Sequence, residues 1–161
     1  MKKTISVLIF IFVILSALTS CGITVPRPEI KEGRFNISVT YEHNGEIKTS
    51  KSVYICEYDG INWFNINGDP CVIWKESFEG DIKDGGVLPI CNTDDGGELY
   101  ISLLLYPEYF MGDPEYADFD PIVSAEIFYS DRQINDAEII AEYGVKLIGY
   151  ECDKPIENTY K

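Results

Sequence analysis

Histidine is nearly missing from this sequence: His43 is the only one in 161 residues. A Ser-His-Asp or Cys-His nucleophilic site would have to use that ring. It stands beside Asn44-Gly45, a turn signal, where nothing in the sequence holds an imidazole in place. His-rich zinc motifs are absent for the same reason, and no two cysteines form a Cys-x-x-Cys pair, so a thiolate zinc centre has little support. No phosphate-cradling glycine loop and no dinucleotide fingerprint occurs. Positive charge is scarce, with 13 Lys and Arg against 27 Asp and Glu, a net charge of −14. A surface of that sign repels phosphate backbones and anionic headgroups, which excludes nucleic acid and acidic lipid as partners of the domain itself. It suits a cationic partner, bound cations, or plain solubility. Aromatic residues are not scarce: 11 Tyr and 8 Phe, with 13% aromatic content overall, argue against disorder despite the charge.

The first twenty residues differ from the rest. Lys2 and Lys3 make a positive start, Ile5 to Leu15 is apolar except for Ser6, and small residues follow to Ser20. This is the layout of a secretory signal. A retained transmembrane helix fits less well, because the uncharged stretch Thr4 to Ser20 lies at the lower limit of the roughly 17 to 25 residues that a span needs.

Leu18-Thr19-Ser20-Cys21 resembles the lipobox of bacterial lipoproteins. The resemblance implies a diacylglycerol on the Cys21 sulfur, removal of residues 1–20, and Cys21 as the first mature residue. A thiolate is the side-chain nucleophile suited to making that thioether, and two acyl chains anchor stably where one would not. Gly22 is not Asp, so the aspartate that resembles an inner-membrane retention signal in enteric bacteria is absent. The expected organisation is signal peptide 1–20, lipidated N-terminus and tether 21–33, and one domain 34–161. That domain is extracytoplasmic and held to the bacterial cell membrane by lipid. Losing Lys2 and Lys3 leaves 11 basic against 27 acidic residues, a net charge of −16.

An exported domain with four further cysteines, Cys56, Cys71, Cys91 and Cys152, suggests two disulfides. Spacing favours Cys56 with Cys71, leaving Cys91 with Cys152. Buried thiols are the alternative.

Strand signals dominate the domain. Phe35, Ile37, Val39 and Tyr41 alternate with polar residues, and a second strand follows His43-Asn44-Gly45. A three-residue loop with Gly45 in a bulge is expected, because only that register gathers Ile47, Val53 and the aliphatics of the first strand on one face. Cys71 to Trp74 and Val87 to Cys91 read as short strands, the latter at an edge because of Pro89. Glu98 to Tyr106 is the strongest strand and is expected to sit centrally. Ile122 to Tyr129 and Val145 to Cys152 follow. Asn135 to Tyr143 is the one convincing helix, capped by Asn135 and stopped by Gly144. Seven or eight short antiparallel strands and one short helix near the C-terminus predict a mainly β domain. We expect a β-sandwich of immunoglobulin-like type, with a small β-barrel as the alternative.

Two groups of residues carry candidate chemistry. Asn92, Asp94 and Asp95 form one acidic loop, and Asp113, Glu115, Asp118 and Asp120 another; Asp118 and Asp120 lead as ligands for Ca²⁺, the one cofactor weighed. The spacing is not that of an EF-hand, and Asp and Asn are also ordinary turn residues. Tyr109, Phe110 and Tyr116 interleave with acids and turn formers. They either stack on a sugar or a protein's basic patch, or fold back to seal one end of the sandwich. Glycoside hydrolysis needs only two well-placed carboxylates, and so many acids prevent any pair from being singled out. The small size and the lack of a cleft signature argue against an enzyme, and a two-lobed solute receptor does not fit in this length. The expected function is a non-catalytic binding domain for an envelope protein or carbohydrate. The runner-up is an acidic inhibitor or immunity-type protein that neutralises a cationic exported enzyme.

Overall fold

The computed structural model describes residues 25–63, 70–93, 97–116, 124–129, 132–133 and 142–161. The leader, Cys21, Asp94, Asp95, Asp118, Asp120 and all of the expected 135–143 helix but Glu142 and Tyr143 lie outside the described residues. Eight strands are present: β1 (Glu32–His43), β2 (Glu46–Asn62), β3 (Cys71–Gly80), β4 (Val87–Asn92), β5 (Glu98–Leu104), β6 (Ser124–Tyr129), β7 (Arg132–Gln133) and β8 (Val145–Cys152). A four-residue helix α1 (Pro107–Phe110) and a 3-10 turn (Pro114–Tyr116) lie between β5 and β6.

The strands form two antiparallel sheets ordered β3-β2-β1-β8 and β4-β5-β6-β7. This is the mainly β, sandwich-like fold that the alternating sequence implies, with no closed barrel. Phe35, Ile37, Val39 and Tyr41 of β1 point inward with Tyr54 and Cys56 of β2 and Trp74 of β3. Leu88 of β4 and Leu99, Ile101 and Leu103 of β5 join the same core. Each large apolar side chain buried there contributes about 1.5–3 kcal/mol. As expected, β5 is central, between β4 and β6, and Pro89 lies in an edge strand. Burial of β5 is one-sided, however: Leu104 faces solvent.

The register of the first hairpin corrects the expected three-residue loop. His43 pairs with Glu46, and Asn44 (φ 53°) and Gly45 (φ 82°) form a two-residue turn. Two left-handed central residues make a type I′ turn, whose twist matches that of the flanking strands. Turn geometry therefore outweighs the gathering of every aliphatic on one face: Ile47 is left 71% exposed. The inward position opposite Ile37 goes to Ser52, which is buried and whose Oγ accepts a bond from the Ile82 amide at 2.8 Å.

The expected disulfides are likewise corrected. Cys56 sits opposite Glu76, whereas Cys71 sits opposite Asn62 at the far end of the same hairpin. Six strand positions amount to on the order of 15–20 Å, while a disulfide requires Cα atoms within about 7 Å. Cys91 and Cys152 are likewise not joined, and the structure holds none of the four in a disulfide. Cys56 is fully buried and packs as a small apolar residue, and burial raises the Cys91 and Cys152 thiols above their ordinary range.

The segment expected to be a tether is fastened to the domain from Val25 onward. Pro28 is buried and bridges to Tyr160. Arg27 and Lys161 exchange backbone bonds of 2.7 and 2.9 Å, and the Glu29 amide donates to Thr159 O at 2.9 Å. Asn158 bonds both the amide and the carbonyl of Ile30 through its side chain, each at 2.9 Å. Lys161 pairs with Glu29. The polar C-terminal tail and the N-terminal segment thus clasp each other across one end of the sandwich.

Candidate functional site

The loop that carries Tyr109, Phe110 and Tyr116 is organised around Phe110. Pro107 starts α1 with a φ already helical, and the single turn drops Phe110 into the core, where it is 1% exposed. Its ring lies 4.9 Å from that of Phe35 and 5.4 Å from those of Tyr54 and Tyr109. Of the two roles expected for Tyr109, Phe110 and Tyr116, an exposed platform or a seal on one end of the sandwich, Phe110 takes the second. Phe110 seals the sandwich, Tyr109 is half-buried against the core, and only Tyr116 stands at the rim. The loop then reverses at Gly112 (φ +67°), where a Cβ would come within 2.3 Å of Ile156 O. The tail holds it there, with the Ile156 amide donating to Phe110 O at 3.0 Å.

This packing brings an acidic cluster against the inner edge of β3. Trp74, Glu76 and Phe78 alternate onto the inner side of that edge strand, and α1 lies against it. Tyr54 donates its hydroxyl to Glu76 Oε2 at 2.7 Å, with Cys56 beside it. Burial first, and then the charges of Asp113 and Glu76, push the Glu108 carboxyl above the usual range. Burial also raises Asp113, partly offset by the Glu115 amide, which donates to Asp113 Oδ1 at 3.0 Å. Desolvation and the nearby carboxylates raise Tyr116 and Tyr160 in turn. Burial pushes the Cys56 thiol up to about 12. Among the described residues, the ion pairs are Arg34 with Glu79 and Lys161 with Glu29, and neither reaches this cluster. It is an acidic, phenol-lined site.

The outer face of the first sheet carries an open groove of about 480 Å³, lined by Asn36, Ser38, Lys51, Glu79, Glu151 and Asp153 among others. Asp153 Oδ2 is already engaged there by the Asn36 amide and side chain, both at 2.8 Å. His43 lies at the first hairpin's tip, its Nε2 3.1 Å from the Asn44 side chain, as a turn residue. Among the described residues no group of three or more His, Cys, Asp or Glu side chains is placed to hold a metal ion. Glu76, Glu108 and Tyr160 did not stand out in the sequence. For Glu76 a signal existed: a charge set between Trp74 and Phe78 in an inward-pointing row is one way an edge strand is protected from further pairing. No known protein family, curated protein or solved structure is significantly similar to the chain.

Proposed function

We propose that the chain is an extracytoplasmic lipoprotein whose β domain binds, without catalysis, a cationic surface of another envelope protein. The lipobox-like Leu18-Thr19-Ser20-Cys21 supports the anchor. The observation that carries the binding role is the group of Glu108 and Asp113 beside Glu76: burial raises both Glu108 and Asp113, the charges of Asp113 and Glu76 raise Glu108 further, and among the described residues no ion pair reaches them. A lysine or arginine brought to that edge by a partner would relieve both costs at once. The net charge of the mature chain favours the same kind of partner at long range.

The same cluster favours a second reading, an inhibitor that covers a cationic exported enzyme. The two differ in what is recovered and not in how it is held. Cross-linked capture from envelope extract, followed by association kinetics with the recovered partner, tests both. The association rate falls steeply with added salt, and Glu108→Gln weakens binding by about tenfold, or ~1.4 kcal/mol. Binding that ignores salt and both Glu108→Gln and Glu76→Gln would refute the acidic site.

A further inference from the structure

We infer that the groove on the outer face of the first sheet binds a short zwitterionic peptide, whose free ammonium and free carboxylate are taken by opposite walls. Register builds the groove. Successive side chains of a strand point to opposite faces, and Phe35, Ile37, Ser52 and Tyr54 of the two middle strands occupy the inner one. Their neighbours therefore stand outside in two rows. Ser38 pairs with Lys51 on one side and with Glu151 on the other, and Asn36 pairs with Val53, which in turn pairs with Glu79. The central positions, Ser38, Asn36 and Val53, are short. Those that flank them are long and charged, so the face is a trough of about 480 Å³ and not a plane. That volume lies within the roughly 300–1,000 Å³ of small-molecule sites. The acidic cluster is a separate place, against the inner edge of β3.

The walls differ in sign and in what already engages them. Asp153 closes the trough beside Asn36, whose amide and side chain both donate to Oδ2 at 2.8 Å, so the carboxylate is fixed in place with Oδ1 left over. Glu79 is engaged by Arg34. The side chains of Lys51, Ser38 and Glu151 make no hydrogen bond or ion pair among the described residues. Lys51 and Glu151 flank Ser38 yet stay apart, since two inter-strand spacings set their Cα atoms about 10 Å from each other. One side of the trough thus offers an ammonium and the other two carboxylates. An anion alone would meet Glu151 and Asp153, and a cation alone would meet Lys51. A ligand that carries both charges satisfies both sides. The spacing also selects its length: a dipeptide extends to about 7 Å and crosses with a charge-assisted bond at each terminus, whereas a single amino acid, at about 3.5 Å, reaches one side at a time. Ser38 and Asn36 on the floor offer donors and acceptors to the peptide unit between. A sugar is disfavoured, because no aromatic ring is among the described residues that line the trough. Exposed ion pairs contribute little singly, so the affinity is expected on the order of millimolar.

Glycylglycine is titrated against full-length protein in detergent micelles, and saturation transfer from protein to ligand is followed by NMR at neutral pH, where both termini are charged. Expected is saturable binding with a Kd on the order of 1 mM. N-acetylglycylglycine, which lacks the ammonium, glycylglycinamide, which lacks the carboxylate, and glycine, which is too short, are each expected to bind about fivefold more weakly. Lys51 and Glu151 are exposed, and Lys51→Met and Glu151→Gln are each expected to weaken glycylglycine by a similar factor while the melting temperature stays unchanged. No saturable binding at about ten times the expected Kd overturns the site. Equal binding of the blocked dipeptides, or binding indifferent to both variants, overturns it as well. A signal that survives both variants but falls with Glu108→Gln assigns the peptide to the acidic cluster and overturns the groove equally.

Discussion

Half-buried carboxyls decide how single residues in this protein respond to pH. Glu108 and Asp113 have ordinary values of 4.5 and 3.8 and are raised in the fold, chiefly by desolvation. A raised carboxyl favours the folded state fully below its ordinary value, and that contribution is lost as pH rises through the raised one. Thermal unfolding is therefore expected to shift upward on mild acidification from neutrality, and Glu108→Gln to raise Tm at pH 7 while flattening that dependence. An unchanged profile in the variant would remove Glu108 from the account. Tyr54→Phe leaves Glu76 Oε2 without its donor and is expected to cost about 1 kcal/mol in denaturant unfolding. Cys56, held near 12 by burial, resists alkylation at pH 8 until the chain unfolds, whereas half-buried Cys91 and Cys152 react first. Reaction of Cys56 at the rate of an exposed thiol would contradict its place in the core.

Elements were legible where the pattern is strictly local. The alternation from Phe35 to Tyr41, the Leu99–Ile101–Leu103 row, the edge position of Pro89 and the bounds of β8 all follow from residues within a few positions of one another. What depends on longer range is not legible in the sequence. Cys71 to Trp74 reads as a short strand, yet pairing with β2 carries β3 on to Gly80. Ser52 looks misplaced until the Ile82 amide, thirty residues away, supplies its partner. The cysteine spacing suggested a short bridge only because the overhang of β2 and β3 was not apparent. Phe110 and Glu108 read as loop residues because the groups that bury them lie in β1, β2 and the tail. The turn itself gives a test: replacing Gly45, at φ 82°, by Ala is expected to cost about 1–2 kcal/mol, the penalty of a left-handed non-glycine residue. A neutral effect would mean that the hairpin has slipped to another register. Phe110→Ala, which empties the space between Phe35 and Tyr54, is expected to cost about 3–5 kcal/mol.

At the scale of the whole molecule, two sheets are closed at one end by α1, the C-terminal tail and residues 25–30. Asn158→Ala removes both bonds to Ile30 and is expected to open the clasp, seen as faster tryptic cleavage after Lys31 with little change in the melting of the core. The acidic cluster lies on the flank of this same end. The proposed role of that cluster depends on where the domain works and how the chain is attached. The most direct measurement is the intact mass of the N-terminal peptide from envelope-associated protein. The account predicts a chain that begins at Cys21 and carries diacylglycerol on its sulfur. A peptide that still contains residues 1–20, with Cys21 unmodified, would contradict it.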